Sequence, residues 1–227
     1  MNNTLTEIAF VLDRSGSMGS VAESAVAGFN EFLRDQQAAP GQARFTLVLF
    51  DDEFLVPADA VPVAEMVGLD AGTYVPRGST ALLDAIGRTV DNLGKRLATT
   101  PEADRPAHVI VAILTDGYEN ASTDYTARDV AKRIRHQREK YGWQFLFLGA
   151  NQDAIASAAK LNIAAQDAAT FQADAAGARA SFKGSSRKAT ALRMMAMQPD
   201  AAPPADLARP LSEITEEEDR LERGKGR

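Results

Sequence analysis

The sequence predicts an α/β fold of the doubly wound kind, with a mostly parallel central sheet, one antiparallel edge strand and helices on both faces. Short, near-continuous apolar runs recur along the chain, and runs that are apolar on both faces are typical of buried parallel strands. Segments with apolar residues at helical spacing lie between these runs. Strands that alternate with helices of this length imply right-handed crossovers around one sheet.

The predicted elements follow one another in a regular order. Four apolar runs are predicted to be buried strands, at 8–12, 45–50, 109–114 and 145–148. The inward residues of the first two helices are Val21, Ala25, Phe29, Phe32 and Leu33, then Leu82, Ile86, Val90, Leu93 and Leu97. Two further helices are predicted at 126–141 and 154–161. Only the segment 50–56 differs, because the gap after its apolar run is too short for a crossover helix, and we expect a hairpin with an antiparallel edge strand there.

Composition divides the chain into three parts. Residues 1–165 contain all the predicted strands and form the predicted domain, and residues 166–198 are predicted to be a C-terminal helical extension. From residue 199 the chain becomes rich in proline and acidic residues, which predicts a disordered tail over 199–227 that does not join the core. An alternative for part of this tail is a short docking helix, since Thr215 and Glu218 have the spacing of a capping box.

Bulk composition excludes several classes of protein. A chain of 227 residues with 45% hydrophobic residues has enough apolar side chains for one sizeable core. The net charge of −6 argues against binding to nucleic acid or anionic membrane. The absence of cysteine excludes disulfides, thiolate zinc sites and a cysteine nucleophile. No apolar run approaches the roughly 20 residues needed to span a bilayer, and the first residues lack a basic leader, so we expect a cytoplasmic protein.

Three loops carry the residues with metal-binding chemistry. The first apolar run ends in Asp13, and Ser15 and Ser17 alternate after it. Another strand delivers Asp116 to the same edge of the sheet, because ligands of open parallel sheets bind beyond the carboxyl ends of the strands. The hydroxyl of Thr80 lies in a third loop and would complete a cage of hard oxygen atoms. Such a set suits Mg²⁺, Mn²⁺ or Ca²⁺ better than Zn²⁺.

These residues resemble the metal-ion-dependent adhesion site of the von Willebrand factor A family. The resemblance consists of Asp13-x-Ser15-x-Ser17, Thr80 in Gly-Ser-Thr-Ala-Leu-Leu-Asp-Ala-Ile, and Asp116 in Leu-Thr-Asp-Gly, and it covers about residues 5–165. It implies a Rossmann-like sheet and a stand-alone protein of bacterial type.

By that resemblance, Ser15, Ser17 and Thr80 bind the cation through their hydroxyls, while Asp13 and Asp116 act directly or through water. The family's sites commonly leave one coordination position for a partner's Asp or Glu, so the chain is expected to be a non-enzymatic protein-binding module. Similar proteins are often partnered with ATPases or other multiprotein complexes.

Two enzyme-like alternatives remain open at this stage. A metal-dependent phosphohydrolase also begins with an aspartate at a strand end, but the haloacid dehalogenase type has a second aspartate where this chain has Ser15. A serine hydrolase needs a histidine base, and neither His108 nor His136 lies in a predicted site loop. Nucleotide binding rests on Gly16 and Gly19 alone, without the three-glycine fingerprint.

Three other polar groups have weaker claims to function. Residues 51–53 form an acidic run, Glu119 and Asn120 follow Asp116 closely enough to form a rim, and 183–193 is basic without any acidic residue. Simple exposure to solvent explains each of them equally well or better.

Overall fold

A six-stranded sheet runs through the centre of the protein, in a computed structural model that describes residues 1–150, 153–198 and 200–225. The strands are β1 (Asn2–Asp13), β2 (Gln42–Phe50), β3 (Phe54–Pro62), β4 (Pro106–Thr115), β5 (Gln144–Ala150) and β6 (Ala168–Phe171). Their order across the sheet is β3-β2-β1-β4-β5-β6, and only the β2–β3 pair is antiparallel. The predicted fold class, including the antiparallel edge strand at 50–56, is therefore confirmed.

The helices cover both faces of this sheet. They are α1 (Ala22–Ala38), α2 (Leu82–Thr99), α3 (Ala127–Tyr141), α4 (Ala154–Lys160), α5 (Ala175–Met197), α6 (Ala205–Ala208) and α7 (Leu211–Gly224). Alternate residues of β1 serve the two faces, so Ile8 and Phe10 pack towards α1 and α5, while Ala9 and Val11 pack towards α2, α3 and α4. The helix predicted at 126–141 is present, with Thr126 and Asp129 forming a capping box.

Aromatic side chains hold α1 and α5 against one face of the sheet. The ring of Phe10 on β1 stacks on Phe182 of α5 at 5.6 Å and meets Phe29 and Phe32 of α1 edge to face. Gly28 lets the two helices approach closely, since a Cβ there would lie 2.5 Å from the Phe182 ring. This packing makes α5 part of the same core as β1, beyond the predicted domain boundary at residue 165.

The C-terminal segment differs from the sequence-based expectation of a tail over 199–227. Helix α7 packs on α5 and buries Leu211 and Ile214 completely. It begins directly after Pro210, so Thr215 is an interior, buried residue and caps nothing. Three of its acidic residues, Asp206, Glu217 and Glu218, form ion pairs with Arg187 of α5. The ends of the predicted tail, at 199 and 226–227, lie outside the described residues.

The basic residues of the stretch 183–193 on α5 contact the C-terminal segment and α1. Arg187 forms ion pairs with Asp206 at 2.9 Å and Glu218 at 2.7 Å. Lys188 is buried, and its ammonium donates to three backbone carbonyls between residues 206 and 209. Arg193 is also buried and donates to the backbone carbonyls of Gln36 and Gly41. The stretch therefore joins α5 to its neighbours, which accounts for its charge without a phosphate ligand.

Strand β3 is an irregular edge. Its pairing with β2 shifts register twice, and Ala60 has a φ of 54° in the left-handed region. Pro57 and Pro62 lie in the same strand and have no backbone N–H to donate.

Within the described ranges, none of the helices combines the length and the apolar character needed to cross a bilayer.

Glu7 is a buried acid in the middle of β1. Its carboxylate accepts a hydrogen bond of 2.6 Å from Arg96, which also pairs with Asp59, and one of 3.3 Å from Thr46. Burial raises the pKa of Glu7 to about 7, because the cost of desolvation exceeds the stabilisation by Arg96.

We expect this group to make the stability depend on pH. Between pH 4.5, the ordinary pKa of the side chain, and about 7, the folded protein holds a proton on Glu7 that the unfolded chain has released. Stability is therefore lost as pH rises through this window, by up to about 3 kcal/mol for this group. Urea unfolding of Glu7→Gln between pH 4 and 8 should show the variant gaining stability relative to the wild type as pH rises. The exposed Glu65→Gln should follow the wild type, and parallel curves for Glu7→Gln would contradict the prediction.

The packing of α7 predicts that substitutions at its buried and exposed positions change the free energy of unfolding by different amounts. Ile214→Ala removes a fully buried side chain and should lower the free energy of unfolding by about 2–4 kcal/mol. Leu221→Ala, on the same helix but 54% exposed, should cost less than about 1 kcal/mol. Denaturant titration measures both, and equal small effects would mean that α7 does not share the core in solution.

Candidate metal centre

The candidate site lies beyond the carboxyl ends of two adjacent central strands. Asp13 is the last residue of β1 and Thr115 the last of β4, so the loops that follow start side by side. The loop that contains Thr80 precedes α2 and reaches the same edge. All five residues predicted to form the site are brought together here.

Asp13 is completely buried and is held by donors on both oxygens. Oδ1 accepts a hydrogen bond of 2.7 Å from the Ser15 backbone N–H, and Oδ2 accepts one of 2.5 Å from the Thr115 hydroxyl. The Tyr74 hydroxyl donates to the Asp13 backbone carbonyl at 2.5 Å. Burial raises the pKa of Asp13 to about 6, although the hydrogen bonds from Thr115 and Ser15 act in the opposite direction. Asp13 is therefore fixed in orientation by β4 and by its own loop.

The serine hydroxyls form a chain from the buried side of the site to its surface. The Oγ atoms of Ser15 and Ser17 are 3.1 Å apart, and Ser17 donates a hydrogen bond of 2.6 Å to Asp116 Oδ1. Ser15 is buried, Ser17 is exposed and Asp116 is half-buried. Burial raises the pKa of Asp116, against the lowering effect of the Ser17 hydrogen bond. These three residues thus present their oxygens from the interior outwards.

Thr80 completes the group of oxygens through its position beside Gly117. A Cβ on Gly117 would lie 2.7 Å from Thr80 Oγ1 and 3.5 Å from Ser17 Oγ, so both hydroxyls converge on the space that this glycine leaves free. Asn120 forms two hydrogen bonds with the Thr80 backbone. Its side-chain oxygen accepts from the Thr80 N–H at 2.9 Å, and its backbone N–H donates to the Thr80 carbonyl at 3.0 Å. Asn120 therefore positions Thr80, a role that its place next to Asp116 did not reveal.

Backbone hydrogen bonds join the first loop to the loop before α2. The Gly16 N–H donates to the Gly78 carbonyl at 3.1 Å, and the Arg77 N–H donates to the Arg14 carbonyl at 2.8 Å. Gly78 has a φ of +67°, and a Cβ there would collide with Asp52, so the turn requires glycine. Two loops that are distant in sequence are therefore connected next to the site.

The acidic run 51–53 is neutralised by arginines of these two loops. Arg14 lies 3.0 Å from both Asp51 and Glu53, and Arg77 lies 2.6 Å from Glu53. Asp51 is completely buried and accepts from the Glu53 N–H at 2.5 Å. The run thus stabilises the two loops through ion pairs with Arg14 and Arg77, and it does not form a free acidic patch at the edge of the sheet.

Two further acids, Glu119 and Asp84, fix the segment after Asp116. Glu119 accepts hydrogen bonds from the backbone N–H of Leu83, at the start of α2, and from Ser122. Asp84 accepts three backbone N–H groups from residues 123–125. Sequence patterns did not identify Asp84, Thr115 and Tyr74 as part of the site, although Thr115 lies immediately before Asp116.

The donor set fits a hard divalent cation. It comprises three hydroxyls and two carboxylates, and no group of three or more His, Cys, Asp and Glu residues arranged to bind a metal occurs among the described residues. A site with only two carboxylates and no nitrogen or sulfur ligand suits Mg²⁺, Mn²⁺ or Ca²⁺. The free space over Gly117 lies between the hydroxyls of Ser17 and Thr80.

Comparison with known proteins gives a family match and a shared fold. The family described as von Willebrand factor type A domain matches residues 7–178, which include β6 and the start of α5. No curated protein sequence matches the chain.

Several solved structures are similar in fold. Proximal thread matrix protein 1 from the mussel byssus has a TM-score of 0.55 and 18% identity over 82% of this chain and 46% of its own. A von Willebrand factor type A protein from Catenulispora acidiphila has a TM-score of 0.52 and 19% identity, over 82% and 42%. The manganese-loaded TRAP protein from Plasmodium vivax has a TM-score of 0.51 and 12% identity, over 76% and 70%. The chain spans less than half the length of the first two proteins, and identities this low show the fold alone.

The Thr115–Asp13 hydrogen bond should contribute measurably to stability. Thr115→Val keeps the shape of the side chain and removes the donor from a buried carboxylate, which should cost about 1.5–3 kcal/mol in the free energy of unfolding. The same substitution at the exposed Thr4 of β1 should cost less than about 0.5 kcal/mol. Urea unfolding at pH 7.5 compares the two, and equal stability of Thr115→Val and wild type would show that Thr115 does not hold Asp13.

Proposed function

Because the chain belongs to the von Willebrand factor type A domain family, we propose that it is a non-enzymatic interaction module that binds one divalent cation through Asp13, Ser15, Ser17, Thr80 and Asp116. Proteins of this family often mediate protein–protein interactions and metal-dependent binding. The observation that carries the proposal is the convergence of hydroxyl and carboxylate oxygens from three loops, with Ser17 within 2.6 Å of Asp116 and Thr80 beside Gly117.

The chemistry of these residues favours capture of a carboxylate. Ser15, Ser17 and Thr80 are neutral ligands, so the two acids at most balance the two charges of the ion, and the site carries no excess negative charge that would repel an incoming carboxylate. When bound, the cation supplies an electrophilic coordination position to an Asp or Glu of a partner protein. Both oxygens of Asp13 already accept hydrogen bonds from Ser15 and Thr115, so we expect Asp13 to act on the cation mainly through water while it orients the first loop.

Mg²⁺ is the proposed ion, with Mn²⁺ or Ca²⁺ as alternatives, and the proposed partner is a protein with an exposed acidic residue. An adaptor role towards an ATPase or another multiprotein complex accords with such capture. The two histidines of the chain argue against a serine hydrolase. His108 lies seven residues before the end of β4, about 23 Å from Thr115 along the strand, and His136 lies on α3 beside Pro106, at the start of β4.

The metal proposal predicts a loss of ion binding in single variants. Thr80→Ala and Ser17→Ala each remove one hydroxyl ligand and should weaken Mg²⁺ or Mn²⁺ binding by at least about tenfold, measured by titration calorimetry. Ser20→Ala, a neighbouring exposed serine outside the cluster, is the matched control and should bind as the wild type does. Circular dichroism should show unchanged folding for all three variants.

Partner capture tests the second half of the proposal. A pulldown from lysate should recover a protein in Mg²⁺ that is lost in chelator and lost in Thr80→Ala, while Ser20→Ala retains it. Substituting acidic residues of the recovered protein one by one by Asn or Gln should identify the captured carboxylate. Unchanged ion affinity in Thr80→Ala, or equal capture in chelator, would refute the function.

A further inference from the structure

A cleft of about 430 Å³ opens at the edge of the sheet opposite the candidate metal centre. It lies between the ends of α2 and α3 and the start of β4, where Arg105, Pro106 and Ala107 form its floor. The length of β4 separates it from Asp116 by about 30 Å. Its volume falls within the range of small-molecule sites, and nothing in the proposed metal-dependent function uses it.

One part of the cleft lining is apolar. Leu97 of α2, Val109 of β4 and Trp143 line it, and all three are buried in the protein. Tyr141 lines the same cleft at the end of α3 and is 51% exposed. Together they provide a surface for an aromatic or alkyl group of a ligand.

The charged residues of the cleft are all cationic. Arg105 and Lys140 line it, and no Asp or Glu does. Neither cation forms an ion pair with any part of the chain that the structure describes, although eight other arginines do so. The guanidinium of Arg105 donates to the Thr100 carbonyl at 2.9 Å, but its buried Nε has no hydrogen-bond partner among the described residues.

Lys140 is the second cation of the cleft, and it lies beside Tyr141. The Lys140 ammonium lies 5.3 Å from the centre of the Tyr141 ring, so its charge is held over the aromatic side of the opening. Arg105 is half-buried and Lys140 is exposed, and two cations without an ion-pair partner among the described residues favour an anionic group on the ligand.

We propose that this cleft binds a small apolar carboxylate, with its alkyl or aromatic body against Leu97, Val109 and Trp143 and its carboxylate between Arg105 and Lys140. Burial of the body supplies affinity, while the two cations select an anion over a neutral molecule of the same shape. The proposal is independent of the candidate metal centre.

Octanoate is a suitable probe, because Trp143, the only tryptophan of the chain, lines this cleft. Trp143 also lines a neighbouring pocket with Arg135 and Arg138, so the substitutions of Arg105 and Lys140 decide which of the two sites binds. In buffer containing chelator, equilibrium dialysis of the full chain should show one saturable site for octanoate, and titration should change the emission of Trp143 with the same midpoint. The neutral analogue 1-octanol should bind about tenfold more weakly.

Substitutions of Lys140 and Arg105 test where the carboxylate of the ligand binds. Lys140→Gln should weaken octanoate binding by about fivefold and leave 1-octanol unchanged, because only the charged ligand loses a partner. Lys132→Gln, the same substitution at an exposed position outside the cleft on α3, is the matched control and should bind octanoate as the wild type does. Arg105→Gln combined with Lys140→Gln should abolish the preference for octanoate over 1-octanol.

Three results would overturn the proposal. They are no saturable uptake of octanoate, uptake without any response of Trp143, and an unchanged preference for octanoate over 1-octanol in the double variant. Because the preference is a ratio of two affinities in one variant, a general loss of stability does not imitate it.

Discussion

The carboxylate of Asp13 is the constraint on which the arrangement of the site depends. It is completely buried at the end of β1, where Thr115 of the adjacent β4 satisfies one oxygen and the Ser15 backbone the other. A buried charge without these donors would be strongly unfavourable, so the loop after β1 can adopt few other conformations. The position of Ser17, and through it the contact with Asp116, follows from this one buried group.

Support for the site comes from elements that contribute no candidate ligand. Asn120 clamps the Thr80 backbone, Glu119 and Asp84 fix the segment that follows Asp116, and Arg14 balances the buried Asp51. These residues satisfy backbone groups of loops that would otherwise be free to move. A rigid frame of this kind lowers the cost of ordering the hydroxyls when an ion or partner binds.

Sequence patterns predicted the strands and the loops that follow them, because each can be identified from the residues of a short segment. An apolar run such as 109–114 identifies a buried strand by itself, and the residue that follows it must lie at the edge of the sheet. Thr80 could be placed in a third loop before a helix, but nothing in its neighbourhood fixes its distance from Ser17, and its role as a ligand came from the resemblance. A short docking helix in the α7 region was only the alternative to a disordered tail, because its apolar residues are few and Glu218 pairs with Arg187 of α5, about 30 positions earlier in the chain.

The irregular strand β3 has a consequence for how the protein associates with others. An additional strand needs a straight row of alternating donors and acceptors, and β3 interrupts that row with two prolines, two shifts of register and the left-handed Ala60. Copies of the sheet therefore cannot extend one another at this side into a continuous ribbon. In the proposed function, recognition takes place instead through side chains at the loop ends, so that each contact is discrete and does not propagate from one molecule to the next.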